Sequence, residues 1–395
     1  MKILVPALGR INTQNRDGSE IRFSAVAKIW KKKGHEIHIV LPPREKRILK
    51  TDGVEVKYYL LPEKTTYEGE NLFVILLIYL ARLIKAFLFS PPKDADLLYI
   101  PSDFLIDLLP GLWWRRQSPR AKVVVCFFLV APNPFKGYRH GYQEGWRFPT
   151  LRSILYFTSQ WLTLFLLKSF ADKILVLNSL DKAVLEKRGL AGKVSVIDMG
   201  VDFQEFNKAP RLAKVYDACF VGRFHPQKGI FDLIDIWKTV VEKESKAKLA
   251  LIGGGSKEFK EKLKMVISKE GLSENIVFLG FKIDKEKVRV LKQSKLFLLP
   301  SFYESWGMVA AEAMAAGLPV VAYDLPIFSK IFPWGMIRVP IGEKKAFTRA
   351  VLSLLEDKDL YQKLRKEAQR QAREYDWHQV ANRELSVFPR IANEP

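Results

Sequence analysis

Cysteine is nearly absent from this chain: there are two among 395 residues, Cys126 and Cys219, each inside an apolar, strand-like run. Neither a disulfide framework nor a cysteine metal cluster is available, and both thiols read as buried. No zinc-ligand spacing occurs. The opening Met1-Lys-Ile-Leu-Val-Pro6 has no long apolar core or small-residue cleavage site behind it, so it reads as a short strand rather than a secretory signal. A cytoplasmic protein is expected. The run that approaches the length of a membrane span, Leu72 to Phe89, is interrupted by Arg82 and Lys85 one turn apart, which argues against a span. Acidic residues are also in short supply, with 43 Asp and Glu against 64 Lys and Arg, for a formal net charge of +21.

That excess of cations calls for polyanions: nucleic acid, an anionic membrane surface or phosphorylated substrates. Nucleic acid is the least supported, because the basic residues are dispersed and no basic-aromatic module or recognition helix is present. The Leu72 to Phe89 run has two readings, a buried helix or an interfacial helix whose basic residues snorkel. Trp161 to Lys168 offers a second apolar helix, and Trp113-Trp-Arg-Arg116 sets indoles beside guanidinium groups, as membrane-edge anchors often are. Peripheral attachment to the cytoplasmic face of an anionic membrane therefore stands beside a protein free in the cytoplasm.

A chain of this length exceeds one ordinary core, and its 48% hydrophobic content supports burial in two domains. The first half alternates short apolar runs (Lys2 to Leu8, Glu36 to Leu41, Leu97 to Ile100, Val123 to Phe128, Ile174 to Leu177, Val194 to Ile197) with helical stretches from about Glu20 to Lys33 and Asn71 to Phe89. This is the rhythm of a parallel sheet with crossover helices. From about Phe203 a second alternation begins, and Met199-Gly-Val-Asp202 reads as the hinge.

The chemistry concentrates in two places. In Pro300-Ser-Phe-Tyr-Glu-Ser-Trp-Gly-Met-Val-Ala-Ala-Glu-Ala-Met-Ala-Ala-Gly-Leu-Pro-Val-Val-Ala322 an apolar run ends at Pro300, a polar turn follows, and an alanine-rich helical stretch stops at Gly317. Free amides around Ser305, Trp306, Gly307, Met308 and Val309 would face an anion at the helix N-terminus. Glu304 would face the part of a ligand beyond its phosphates, and Glu312 could accept two hydrogen bonds from a vicinal diol. The bland alternative for Glu312 is a salt-bridged surface residue; its alanine and methionine neighbours favour a buried carboxylate satisfied by ligand. Upstream, Gly222-Arg223-Phe-His-Pro-Gln-Lys228-Gly229 follows the apolar run Ala218 to Val221, and its flanking glycines let two cations approach one anion. A diphosphate is the natural guest.

These blocks, taken in order with Leu251-Ile-Gly-Gly-Gly255 and Val277-Phe-Leu-Gly280, resemble the nucleotide-binding domain of the retaining, glycogen-synthase-like glycosyltransferases of family 4 over Ala218 to Ala322. Each block alone is weak and the ordered set is strong. The opening Asp17-Gly18-Ser19-Glu20 with Lys33-Gly34-His35-Glu36-Ile37 is also similar, and Gly18 matches a glycine that approaches the donor phosphate. The resemblance implies the GT-B architecture: α/β, two Rossmann-like doubly wound domains facing a central cleft. Residues 1–200 would bind acceptor, 201–375 would bind nucleotide sugar, and 376–395 would cross back to the first domain, with the domains closing on the donor.

The implied activity is retaining transfer of a hexose from a UDP-sugar or GDP-mannose to a lipid-linked or growing-glycan acceptor. No cofactor or metal is called for, because Arg223 and Lys228 would neutralise the leaving diphosphate. Glu304 would orient the donor sugar and Glu312 would hold the ribose. Asp94-Ala-Asp96 and Asp357-Lys-Asp359, the two Asp-x-Asp pairs, fall outside the phosphate motifs and read as turn residues. The chain departs from the family at four points. Ser19 stands where a second glycine of the Gly18 turn is common. Phe128 or Leu129 stands where relatives carry a histidine, with loop residue His140 as a possible substitute; Met199 replaces a common asparagine; and Asp324 to Ser329 lacks a double glycine. A noncatalytic nucleotide-sugar or membrane-binding subunit, or another GT-B enzyme such as an epimerase, are the alternatives.

Overall fold

The computed structural model describes residues 1–9, 18–43, 46, 53, 56–63, 71–135, 148–210 and 212–388. Asp17 and His140 lie outside them. Among the described residues, those up to 199 and those from 377 onward form one compact unit, and residues 200–376 form the other.

Unit 1 is built on a seven-stranded parallel sheet of β1 (Lys2–Pro6), β2 (Glu36–Leu41), β3 (Lys57–Leu60), β4 (Leu97–Ile100), β5 (Lys122–Cys126), β6 (Lys173–Val176) and β7 (Val194–Val196), ordered β3-β2-β1-β4-β5-β6-β7. Unit 2 has six parallel strands, β8 (Tyr216–Val221), β9 (Leu249–Ile252), β10 (Ile276–Gly280), β11 (Ser294–Leu299), β12 (Val320–Tyr323) and β13 (Met336–Val339), ordered β10-β9-β8-β11-β12-β13. Central strands are apolar on both faces, as parallel strands covered by helices must be: all four residues of β4 and of β12 are buried. Each sheet winds outward in both directions from a central pair, β1 and β4 in unit 1, β8 and β11 in unit 2. Diverging loops at the carboxyl ends of such a pair open a crevice, the usual ligand position in doubly wound sheets.

The Leu72–Leu88 helix is not the buried helix of the first reading, because one of its faces is exposed, and its cations do not behave as the second reading expects. Arg82 does not snorkel: its side chain is buried, ion-pairs with Glu63 at 2.9 Å and donates to the Leu8 carbonyl at 2.6 Å. Lys85 likewise donates to the Pro62 carbonyl. Both cations serve the protein side of the helix, and its opposite face is left almost wholly apolar. No helix among the described residues is long and apolar enough to cross a membrane.

Loops at the carboxyl edge of unit 1 are held by buried carboxylates. Asp107 Oδ1 accepts the Leu8 and Gly9 amides at 2.6 and 2.9 Å, and Asp103 accepts Gln160 Nε2 at 2.8 Å. Burial pushes each acid up to about 6, outweighing the donors that favour the charged form. Because the folded value lies above the unfolded one, the native state holds more protons between about pH 4 and 6, and the stability contributed by Asp107 falls as pH rises through that window. An Asp107→Asn variant keeps an oxygen acceptor without the titration. Wild type should gain on it by on the order of 2 kcal/mol as pH falls from about 7 to about 4. Urea midpoints of both proteins across that range test this; a constant gap would contradict it.

Candidate functional site

Beyond β8 the chain turns through Gly222 and the exposed Arg223, then makes one tight turn, Pro226–Lys228, in which His225 Nδ1 accepts the Gln227 amide at 3.2 Å. Gly229 follows at φ +65°, and a Cβ there would lie 1.8 Å from the Pro300 carbonyl oxygen. Only glycine allows this approach. It lays the basic loop against the one after β11, and the Phe302 amide donates to the Gln227 carbonyl at 2.9 Å. Lys228 Nζ thereby reaches Glu304 Oε1 at 2.6 Å, with side chains 21% and 10% exposed. The cation and carboxylate, 76 residues apart, are one unit.

The loop after β11 is rigid for identifiable reasons. Trp306 is buried edge-on against Phe332 and Tyr375, with ring centroids 5.2 and 4.9 Å away. Gly307 takes φ +102°, and an added Cβ would meet Phe328 at 3.0 Å, so glycine is required here too. The Met308–Ala315 helix therefore starts with no side-chain cap, its Ala310 and Ala311 amides turning back to the Gly307 carbonyl. The first amides, Met308 and Val309, are placed to meet an anion. Ser305, half-buried, is on the same turn.

Glu312 lies one turn into this helix. Its Oε1 accepts Lys287 Nζ at 2.6 Å, and Oε2 is buried with no hydrogen-bond partner. Buried, unsatisfied acceptors are costly, so an oxygen left this way suits a ligand donor. Ser301 Oγ and Trp306 Nε1 are buried and unsatisfied in the same loop. The sequence offers Glu312 for two diol hydrogen bonds, whereas in the folded chain one oxygen is committed to lysine. Lys287, from the Asp284–Gln293 helix, is a site residue that sequence reasoning misses; it is one of several lysines in a polar helix, with no local signal to mark it.

Arg223, Lys228, Glu304, Ser305 to Val309 and Glu312 thus all lie on the loops and helix that follow β8 and β11. Gly18 heads the Gly18–Lys32 helix of unit 1. Phe128 follows β5, its ring centre 5.8 Å from the Arg22 guanidinium carbon. Asp94 and Asp96 are exposed just before β4, at the amino end of that strand and away from the carboxyl-edge crevice; Asp357 caps the Lys358–Glu374 helix, and Asp359 is exposed in its first turn.

Residues 202–371 match the family model described as Glycosyl transferases group 1. Over these residues unit 2 is similar to a group 1 glycosyl transferase domain. All the unit 2 site residues, Lys287 included, fall inside the match. The chain is 32% identical over 204 residues to the phosphatidyl-myo-inositol mannosyltransferase of Mycobacterium leprae, covering 50% of this chain and 53% of that protein. It is 31% identical over 224 residues to the D-inositol 3-phosphate glycosyltransferase of Corynebacterium glutamicum, covering 51% and 53%. The chain spans about half the length of the curated relatives it matches. Among solved structures, sucrose-phosphate synthase from Thermosynechococcus elongatus superposes with a TM-score of 0.73 at 18% identity, covering 99% of this chain and 98% of that one. HepE of Anabaena, crystallised with UDP and glucose, gives 0.72 at 17%, covering 99% and 100%. At such identities the likeness is one of fold. Both units have the Rossmann-like parallel α/β fold found in GT-B glycosyltransferase structures.

Proposed function

We propose that this protein transfers a hexose, with retention of configuration and without a metal ion, from a UDP-sugar or GDP-mannose to a lipid-linked or growing-glycan acceptor. The observation that carries this is the Lys228–Glu304 pair, set on the same loops as the uncapped amides of Met308 and Val309 beyond β8 and β11. The diphosphate rests at the helix N-terminus, with Arg223 and Lys228 drawing its charge. Glu304 orients the sugar hydroxyls, and Glu312 Oε2 takes a ribose hydroxyl while Lys287 holds Oε1. In the transfer the bond from anomeric carbon to diphosphate oxygen breaks, the acceptor oxygen bonds on the same face, and the departing diphosphate takes the acceptor's proton. Catalysis is then stabilisation of charge on the leaving group. Relatives named for mannosyl and glycosyl transfer to inositol compounds, and a fold neighbour crystallised with UDP and glucose, support this reading.

Thermal-shift and calorimetric titration with UDP, GDP, ADP and their sugar conjugates, with and without magnesium or EDTA, tests the donor site. One nucleotide sugar should bind at micromolar strength irrespective of metal and should then be hydrolysed or transferred. Glu312→Gln should weaken donor binding about tenfold, since the Oε2 hydrogen bond loses its charge. Absence of binding by every nucleotide would sink the transferase reading, and binding without turnover would point to a noncatalytic subunit.

A further inference from the structure

Unit 1 carries an apolar surface that the donor site does not explain. On the Leu72–Leu88 helix Phe73, Leu77, Leu80, Ile84 and Leu88 are exposed at helical spacing, Leu88 at 82%. On the Leu151–Phe170 helix Leu151, Leu155, Trp161, Leu162 and Phe165 are exposed, Phe165 at 69%, with Thr158 exposed among them. Neither helix contains an aspartate or glutamate. Both pack against the Leu105–Trp114 helix between them, so their outward faces belong to one side of the unit. The join is explicit: Trp113 Nε1 donates to the Phe87 carbonyl at 3.1 Å, and the Arg115 guanidinium reaches the Phe170 carbonyl at 3.4 Å. An apolar stripe this long, on two helices, is more than the scattered exposed leucines of an ordinary surface.

Its edge is cationic. Arg116 lies over the Trp113 ring at 4.3 Å and Arg188 over Trp161 at 5.5 Å, each guanidinium held against an indole. Lys187 and Arg120 are exposed nearby in sequence. The cations that could have snorkelled from within the Leu72–Leu88 stripe, Arg82 and Lys85, are instead engaged by Glu63, Leu8 and Pro62. On the Leu72–Leu88 helix the stripe is therefore apolar along its length, while on the Leu151–Phe170 helix the exposed cations, Arg152 and Lys168, stand in the first and last turns. Indoles beside guanidinium groups suit the level of lipid headgroups, and the apolar faces suit the acyl boundary beneath.

We infer that this face of unit 1 is a docking surface for an anionic bilayer, with the Leu72–Leu88 and Leu151–Phe170 helices lying in the interface and the arginine border on acidic headgroups. Charge complementarity selects this occupant over a second copy of the chain, because a two-fold contact through the patch would set the cationic borders together. A lipid-linked acceptor gives the surface its use and to that extent the inference rests on the proposed transfer; the geometry that supports it does not. The experiment therefore reads binding, not turnover. The full chain should sediment with phosphatidylcholine vesicles containing about one-third phosphatidylglycerol and much less with phosphatidylcholine alone. Leu77→Glu with Phe165→Glu should weaken that binding at least about tenfold, each change removing an apolar side chain that the bilayer would bury. Arg116→Glu with Arg188→Glu should abolish the preference for the acidic lipid. Circular dichroism and nucleotide thermal shifts of each variant confirm that it is folded. Failure of the unaltered protein to bind acidic vesicles, or unchanged binding by the leucine and phenylalanine variant, overturns the inference while leaving the donor site intact. So does a dimer in sedimentation equilibrium that the same variant dissociates. Vesicle binding by a protein that binds no nucleotide would sink the transferase reading and leave this surface standing.

Discussion

Replacing Lys228 with alanine lowers kcat by about tenfold to a thousandfold in the proposed transfer, with a smaller change in KM, as expected for a cation that works hardest when the diphosphate departs. Two effects combine. The leaving group loses a charged donor, and Glu304, only 10% exposed, loses the partner that neutralises it 2.6 Å away. An unpaired carboxylate beside a diphosphate opposes binding as well as departure. The double variant Lys228→Ala with Glu304→Gln separates these: removal of the stranded charge should restore donor affinity but not turnover. Lys228→Arg keeps the charge and should retain more activity than alanine, although a guanidinium cannot reproduce the compact ammonium contact. Full turnover by Lys228→Ala in a single-turnover assay would remove Lys228 from the chemistry and leave it a structural partner of Glu304.

Much of this site is legible in the sequence because its signals are local. An apolar run ending in Pro300, a helix opening after Gly307 and closing at Gly317, and a glycine-flanked basic loop are each set by backbone conformations that few residues allow; Gly229, Gly307 and Gly317 all have positive φ. The strand Leu97 to Ile100 appears with the bounds read from its apolar run, and Asn71 caps the helix expected from its own position onward. What escapes depends on distance or on weak pattern. β3, Lys57–Leu60, is an edge strand with both end residues exposed, so it has no continuous apolar run to announce it. Arg82 reads in sequence as a solvent-seeking cation because its partners, Glu63 and the Leu8 carbonyl, are 19 and 74 residues away. Lys287 meets Glu312 only after the helices on which they stand have packed. Charge partners across such separations leave no periodicity to detect, whereas turn glycines do.

The longest such link also gives the largest expected stability effect. Glu384, fully buried on the Trp377–Leu385 helix, accepts Arg22 Nη2 at 2.7 Å and the Tyr99 hydroxyl at 2.8 Å; Arg22 Nε donates in turn to the Asp198 carbonyl at 3.0 Å, and Cys126 Sγ lies 3.0 Å from the Tyr99 hydroxyl. The pair spans 362 residues and fastens the last described helix to the Gly18–Lys32 helix of unit 1. In Glu384→Ala the guanidinium stays in an apolar interior without its carboxylate, with Trp30, Tyr99 and Phe388 packed edge-to-face alongside. Loss of one partner from a buried pair costs about 3 to 5 kcal/mol, far more than an exposed pair, because desolvation of the survivor is no longer offset. For a unit of this size the melting temperature should fall by roughly 10 °C. Replacing both partners by apolar residues, Arg22→Met with Glu384→Leu, removes the stranded charge and should recover most of the loss, the reverse of what additive damage would give. Calorimetric melts of the two single variants and the double variant decide between these outcomes. If the double variant were as unstable as the sum of the singles, the buried charge would not be the cause, and the hydrogen bonds to Tyr99 and Asp198 would carry the stability instead.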